Sequence, residues 1–342
     1  MFKDNEDIYI LAIESSCDDT SAAVIKNTKA VSNIVANQKV HQDYGGVVPE
    51  LASRAHQKNI IPVVDQALKT AGVTKAQLSA IAYTQGPGLM GALLVGNSFA
   101  KSMAMALNIP LIAVNHMQAH IMAHFIDDNR QQKPDFPFLA LTISGGHTQI
   151  VLVKDYFDLE VIGSTLDDAI GEAFDKCGKL MKLPYPAGPH IDKLAKAGKP
   201  EMFTFAKPKV ANLDFSFSGV KTSFRYFLDK KLKEDPEFIN NNLKDLCASL
   251  QATLVDIIYE KMLNAARQYR INSIAIGGGV SANSAIRSKF SQLKDSGYNI
   301  YIPAFEYCTD NAAMIGVVGY YKYHKQQFTD ETSIARSRFP IS

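Results

Sequence analysis

The chain has 342 residues, beyond the roughly 250–300 that one hydrophobic core usually serves, so its length predicts two lobes. Apolar residues make up 46% and charged residues 20%, which excludes a disordered chain; a net charge of +2 excludes a uniformly basic surface, so any phosphate-binding face must be a local patch. Cys17, Cys177, Cys247 and Cys308 form no CxxC pair and read as reduced thiols, and the start MFKDNEDIYILAIE has no basic region ahead of a long apolar one, so the expected location is the cytoplasm.

In chain order, residues 8–13 and 21–25 are apolar, β-leaning runs around a polar turn at 15–20. Helical patterns at 49–71 and 89–107 enclose a strand at 81–84, and another strand follows at 111–114. The small, apolar stretch 90–109 is interrupted by Asn97 and Lys101, which marks a buried helix rather than a membrane span. Residues 127–137, DDNRQQKPDFP, read as a surface linker. The strand–turn–strand pattern then returns, with 138–143 and 148–153 flanking Ser144-Gly145-Gly146-His147, a weak internal repeat. A helix at 167–181, a Pro/Gly loop at 184–189 and helical sequence around 239–269 follow. Strand 273–276 opens into Gly277-Gly278-Gly279 and a helix at 282–293; strand 300–303 precedes a helix starting near Ala312. Strands alternating with helices predict an α/β fold of mixed sheets with helices on their faces.

His116 and His120 are four apart at the start of a predicted helix and so share one face. That spacing suits a common metal ion, and equally a solvated or core-satisfied pair. His124 extends the series, but at 1.5 Å rise per residue it lies about 12 Å from His116, too far for one ion. Asp310 stands at the mouth of the last helix, where spacing alone favours an N-cap. The glycines at 145–146 permit a φ-positive anion nest, and Gly277-Gly278-Gly279 between strand and helix allows close backbone approach to an anion or nucleotide. Neither matches GxGxxG or a P-loop, and there is no HExxH. Asp18 and Asp19 lie in a turn that Asp and Thr stabilise by local hydrogen bonds.

Along nearly its whole length the chain resembles the TsaD/Gcp/YgjD family, in its bacterial branch. The likeness is carried by IESSCDDTSAAV, YGGVVPELASR, TQGPGLMGALLVG, NHMQAH, TISGGHTQIV, GEAFDKCGKLMKLPYPAGP, FSFSGVKT, IGGGVSAN and CTDNAAMIG, in that order. The resemblance implies an actin-like ASKHA fold of two RNase H-like lobes, one formed by 1–130 with 305–342 and carrying the metal ligands, the other by 131–304 and carrying nucleotide-facing turns. It implies that His116, His120 and Asp310 hold one divalent ion, with Fe(II) favoured and zinc the alternative, and that His124 is peripheral. It implies that Thr142, Ile143, Ser144, Gly145, Gly146, Asp175, Gly188, Asp192 and Asn283 contact the adenylate, and it makes Asp18 and Asp19 the catalytic candidates. Three positions depart from the family pattern: Asp19 stands for a glutamate, Ala187 for a glycine and Gln85 for a small residue.

The implied reaction moves a threonylcarbamoyl group from L-threonylcarbamoyladenylate to N6 of adenosine-37 in tRNAs reading codons that begin with A, releasing AMP. The implied partners are tRNA, an inactive actin-like paralogue (TsaB) and a small ATPase (TsaE), with no membrane. A metal-dependent glycopeptidase and a non-catalytic actin-like nucleotide-binding scaffold are the rival readings. Lys176, Lys179, Lys182, Lys207, Lys209, Arg336 and Arg338 are candidate phosphate contacts, or simply a solvated charged face. Ala92, Gly96, Ala100 and Ala104 form a small-residue stripe that packs on the chain's own sheet by sequence alone, and that the resemblance offers to the paralogue.

Overall fold

A computed structural model describes residues 7–42 and 44–341. It divides into two compact units, Met1–Lys133 with Pro303–Ser342, and Pro134–Ile302. In chain order, the first unit contains β1 (Tyr9–Glu14), β2 (Thr20–Lys26), β3 (Lys29–Ala36), α1 (Pro49–Ala71), β4 (Ala80–Gly86), α2 (Met90–Leu107), β5 (Leu111–Asn115) and α3 (His116–Met122). The second holds β6 (Phe138–Ile143), β7 (Thr148–Asp155), β8 (Asp158–Ser164), α4 (Ile170–Leu180), α5 (Ala187–Ala195), α6 (Ser218–Glu234), α7 (Phe238–Tyr269), β9 (Ser273–Gly277), α8 (Ser284–Ser291) and β10 (Asn299–Tyr301). The chain then returns to the first unit for α9 (Ala312–His324).

The two sheets share one topology. The first runs β3-β2-β1-β4-β5 and the second β8-β7-β6-β9-β10, each with an antiparallel hairpin on one side and parallel strands on the other. The internal repeat is therefore structural as well as sequential. β3, β8, α5 and α6 are additions to the sequence reading, and the loop expected at 184–189 is shorter than that, because α5 already begins at Ala187.

β1 and β4 read as continuous apolar runs because both faces of the sheet are covered. Leu11, Ile13, Ile81 and Tyr83 pack with residues of α1 and α2. On the opposite face α9 lies so close that a Cβ on Gly316 would sit 2.3 Å from Ile25, and one on Gly319 2.7 Å from Ala82. α2 turns its small stripe inward: Ala92 and Ala100 are fully buried, and a Cβ on Gly96 would meet Ser15 Oγ at 2.2 Å. The stripe is thus core, and the partner-facing use of it fails for want of exposure. What α1 and α2 do leave exposed is Ile61, Met90, Leu94 and Met105. In the second unit, inward residues of β6 and β7 such as Leu141 and Ile150 meet Phe174, Phe224, Leu250 and Leu254 from the helices. Among the described residues, no helix is long and apolar enough to cross a membrane.

Candidate functional site

β5 ends in Asn115, whose side-chain oxygen accepts from the backbone N–H groups of Met117 and Gln118 and so starts α3. That cap fixes the start of a buried helix, with His116 on its first turn and His120 one turn further on the same face. At the start of α9 the capping residue is Asn311, which accepts from Met314 N; Asp310 is not the cap that its spacing suggested. Asp310 is thereby free to face the histidines. His120 Nε2 lies 3.1 Å from His116 Nε2 and 3.2 Å from Asp310 Oδ1, and His116 Nε2 lies 3.5 Å from the same oxygen. Nitrogens held about 2.0–2.1 Å from a tetrahedral ion are about 3.4 Å apart, so these three atoms suit a single ion. They form the metal-competent group of His, Cys and acidic side chains among the described residues, and His124 is outside it.

Glu14, at the end of β1, has a role that the sequence reading lacks. Its Oε2 lies 2.9 Å from His116 Nδ1 and accepts from Thr84 Oγ1 at 2.6 Å, while Oε1 accepts from Ser16 N at 2.5 Å. The carboxylate is fully buried and fully satisfied. By accepting from Nδ1 it leaves Nε2 of His116 aimed at Asp310, the arrangement by which a carboxylate orients a metal-binding imidazole. Burial pushes the Glu14 carboxyl upward, and the adjacent His116 more than reverses that, holding it below its usual range. His116 moves the other way: burial opposes its charge, but Glu14 and Asp310 hold it protonated well above the ordinary histidine value. Burial lowers His120. A signal for Glu14 exists in the sequence, a carboxylate closing the apolar run YILAIE, since an acid at such a place needs a partner.

The 15–20 turn packs beside this cluster. Thr20 Oγ1 lies 2.7 Å from His56 Nδ1, and His56 Nε2 lies 3.0 Å from the Cys17 carbonyl, so α1 pins the turn that carries Asp18 and Asp19. Asn37 Nδ2 donates to Asp19 Oδ1 at 2.9 Å. Burial, then the charges of Asp18 and Asp310, push the Asp19 carboxyl up to about 7. Gln85 secures the C-terminal segment, donating from Nε2 to the Ile334 carbonyl.

The remaining candidates lie in the second unit, around the C-terminal ends of β6 and β9. Thr142 pairs with Gly277 across those parallel strands. The 144–147 turn closes through Ser144 N to the His147 carbonyl, and α4 reaches it so closely that a Cβ on Gly171 would meet the Ser144 carbonyl at 2.6 Å. Gly145 and Gly146 border open space, and neither has positive φ. The φ-positive nest expected there is absent; among the glycines of the 144–147 and 277–279 turns it is Gly278 that has positive φ, at +89°, stacked on the backbone of Ile143. Asp175 accepts from Ala187 N at 2.7 Å and from Gly188 N, so it caps α5; burial raises its carboxyl and these N–H groups oppose the rise. Asp192 accepts from Ser284 Oγ at 2.7 Å, and Asn283 caps α8 while donating to Gln251 Oε1 at 2.7 Å. The start of α4 reaches the 144–147 turn, α8 starts just after Gly277-Gly278-Gly279, and the start of α5 is tied to α4 through Asp175, a backbone-rich setting suited to an anionic nucleotide.

Residues 29–317 match the model of the family described as TsaD: tRNA N6-adenosine threonylcarbamoyltransferase. The chain is 60% identical to the tRNA N6-adenosine threonylcarbamoyltransferase of Christiangramia forsetii, with 98% of this chain and 99% of that protein aligned. It is 59% identical to that of Phocaeicola vulgatus, over 98% of this chain and all of the relative. Among solved structures, HypF of T. kodakarensis superposes with a TM-score of 0.63 at 15% identity, covering 96% of this chain and 49% of HypF. The ROK hexokinase of Thermus thermophilus gives 0.51 at 13%, covering 93% and 100%. These last two establish the actin-like ASKHA fold alone, whereas the family match and the identities over almost the full length mean that this chain belongs to the tRNA N6-adenosine threonylcarbamoyltransferase family.

Proposed function

We propose that this protein transfers the threonylcarbamoyl group of L-threonylcarbamoyladenylate to N6 of adenosine-37 in tRNAs reading codons that begin with A, with AMP as the other product. The observation that carries the reading is the convergence of His116 Nε2, His120 Nε2 and Asp310 Oδ1 on one point, oriented by Glu14, in a chain of this family. His116, His120 and Asp310 would hold one divalent ion, Fe(II) on the family resemblance, with zinc the other ion this donor set suits. Such an ion supplies Lewis-acid polarisation and a template for the threonylcarbamoyl group.

The chain's own groups do the rest. An exocyclic amine is a weak nucleophile, so the rate depends on positioning and on stabilising developing charge. The open backbone at Gly145 and Gly146 and the starts of α5 and α8 would seat the adenylate, with Thr142, Ile143, Ser144, Asp175, Gly188, Asp192 and Asn283 around it. Asp18 and Asp19 are the catalytic carboxylates; beside a bound divalent ion Asp19 would be ionised, and an ionised carboxylate can accept the proton that the attacking amine loses. Glu14 is spent on His116, Thr84 and Ser16, which leaves it unavailable as the water-activating base of a peptidase.

The partners on this reading are tRNA, the inactive actin-like paralogue and the small ATPase, in the cytoplasm. The exposed apolar face of Ile61, Met90, Leu94 and Met105 is the surface we assign to the paralogue. The test is to incubate the protein with undermodified tRNA, threonine, bicarbonate, ATP and those partners, and to analyse the nucleosides by mass spectrometry. Threonylcarbamoyladenosine formed only with this chain present supports the reading; its absence with all partners active overturns it.

A further inference from the structure

A basic groove of about 590 Å³ lies in the second unit between α4 and α6, lined by Lys176, Lys179, Lys221, Thr222, Arg225 and Tyr226. Two of its lysines are tied to one carboxylate beside the groove: Asp168, nearly covered, accepts from Lys176 Nζ at 2.7 Å on one oxygen and from Lys221 Nζ at 3.2 Å on the other. A single negative charge thus sets two ammonium groups at fixed places along the wall. Lys176 also meets Glu172, and Arg225 is only loosely paired, 3.6 Å from Asp229. Lys179 is exposed and has no ion pair among the described residues. Tyr226, at 70% exposure, stands at the groove with its ring uncovered.

We propose that this groove binds the sugar–phosphate backbone of the tRNA, with Tyr226 stacking on an unpaired base; the inference rests on the function proposed above. The net charge of the whole chain is only +2, so affinity for a polyanion has to come from a local concentration of cations such as this one. Cations flanking an exposed aromatic ring suit single-stranded RNA better than an acidic peptide, because each unpaired base offers a face to stack on. Position favours it as well. Asp175, next to Lys176 and one turn before Lys179 on α4, accepts from Ala187 N at the start of α5 beside Gly188, so the helix that walls the groove also meets residues assigned to the adenylate. RNA held there runs alongside the donor site within one unit.

The experiment is filter binding of an unmodified tRNA transcript, with an anticodon reading codons that begin with A, to the full-length protein over a range of KCl concentrations. Lys179→Glu and Arg225→Glu are expected to weaken binding about tenfold or more each, and to reduce the slope of log K against log[salt] by about 0.7–0.9 per lost phosphate contact. Tyr226→Ala is expected to weaken binding with the slope unchanged, since stacking releases no counterions. Lys231→Glu, on α6 outside the groove, is the control, and thermal melts of these surface variants verify folding. Unchanged affinity and slope in the groove variants, with the parent binding normally, overturn the groove assignment alone. Unchanged tRNA binding with reduced binding of polyglutamate makes the groove a protein-docking site and also overturns it. A parent protein that binds no tRNA either alone or with the paralogue and the small ATPase added overturns the groove assignment, and the nucleoside assay above decides the functional reading separately.

Discussion

Glu14 Oε2 lies 2.9 Å from Nδ1 of His116, so the carboxylate that closes the first strand sets the orientation of a histidine 102 residues later in the chain. Replacing Glu14 with Gln keeps the shape and a hydrogen bond but removes the charge that favours Nδ1–H. Glu14→Gln is expected to lower metal affinity about 10–100-fold while the protein stays folded. Competition with a chromophoric chelator measures this; parent-like affinity would show that His116 needs no such orientation.

The donor set itself makes a sharper claim. His116→Ala and His120→Ala should each lose bound metal, and His124→Ala should retain it, because His124 is outside the cluster of His116, His120 and Asp310. His124 is nevertheless buried, so its variant should melt lower by about 1–3 kcal/mol in stability. Metal analysis by mass spectrometry on the three purified variants separates ligand from bystander, and equal loss in all three contradicts the assignment.

How far these features were legible in the sequence depends on whether the signal was local. The paired hairpins and α1 at Pro49–Ala71 are periodic or short-range patterns, and they read correctly, as does the placing of His116 and His120 on one helix. The role of Asp310 could not be read from spacing, because Asp310 and Asn311 are both good caps and only the fold decides which side chain turns back to Met314. The small stripe of α2 is ambiguous for a similar reason: close approach is the same request whether the neighbour is Ser15 of this chain or another protein. The run YILAIE shows that Glu14 needs a partner, but that partner, like the second wall of the groove, lies far along the chain, so no local window identifies it.

That ambiguity in α2 has a direct test. Ala100 is fully enclosed, and placing a guanidinium there both overpacks the core and buries a charge, so Ala100→Arg is expected to cost more than about 3 kcal/mol and to abolish folding or nearly so. Leu94→Asp alters only the exposed face and should melt within about 0.5 kcal/mol of the parent. On the proposed function it should also lose the paralogue in size-exclusion chromatography. A folded Ala100→Arg protein would return the stripe to the surface.

Asp19 gives the metal-free protein a pH signature. Its carboxyl is raised from the ordinary range near 4 to about 7 in the folded state, so between those values the folded protein holds a proton that the unfolded chain has released. Its contribution to stability is therefore complete below about pH 4 and is lost as pH rises through about 7. After allowance for solvent screening at a partly exposed side chain the change is about 1–2 kcal/mol. Thermal melts across this window should show the decline in the parent and a flatter profile in Asp19→Asn. A bound divalent ion favours the ionised carboxylate, so metal loading should flatten the parent's profile too. Identical profiles for parent and variant would mean that Asp19 titrates normally.

The glycine turns of the second unit separate backbone necessity from ligand access. Gly278 has φ +89°, a conformation that L side chains rarely adopt, and a Cβ there would sit 2.4 Å from the Ile143 carbonyl oxygen. Neither the strain nor the clash has a soft side chain to absorb it, since the atoms met are those of the adjacent strand's backbone. Gly278→Ala is accordingly expected to destabilise the protein by about 2–4 kcal/mol. Gly146 is the opposite case: its φ is ordinary and a Cβ would meet nothing within 4 Å, so Gly146→Val should fold as the parent does. If the open space beside Gly146 is where adenylate is seated, the same valine should weaken AMP binding about tenfold or more, because a β-branched side chain takes the volume that the nucleotide needs. Calorimetric titration with AMP, run on a Gly146→Val protein whose melt matches the parent, isolates that effect from stability. Retained affinity in the folded valine variant would make the 144–147 turn a hairpin connection and nothing more, and would move the adenylate toward Gly278 and the start of α8.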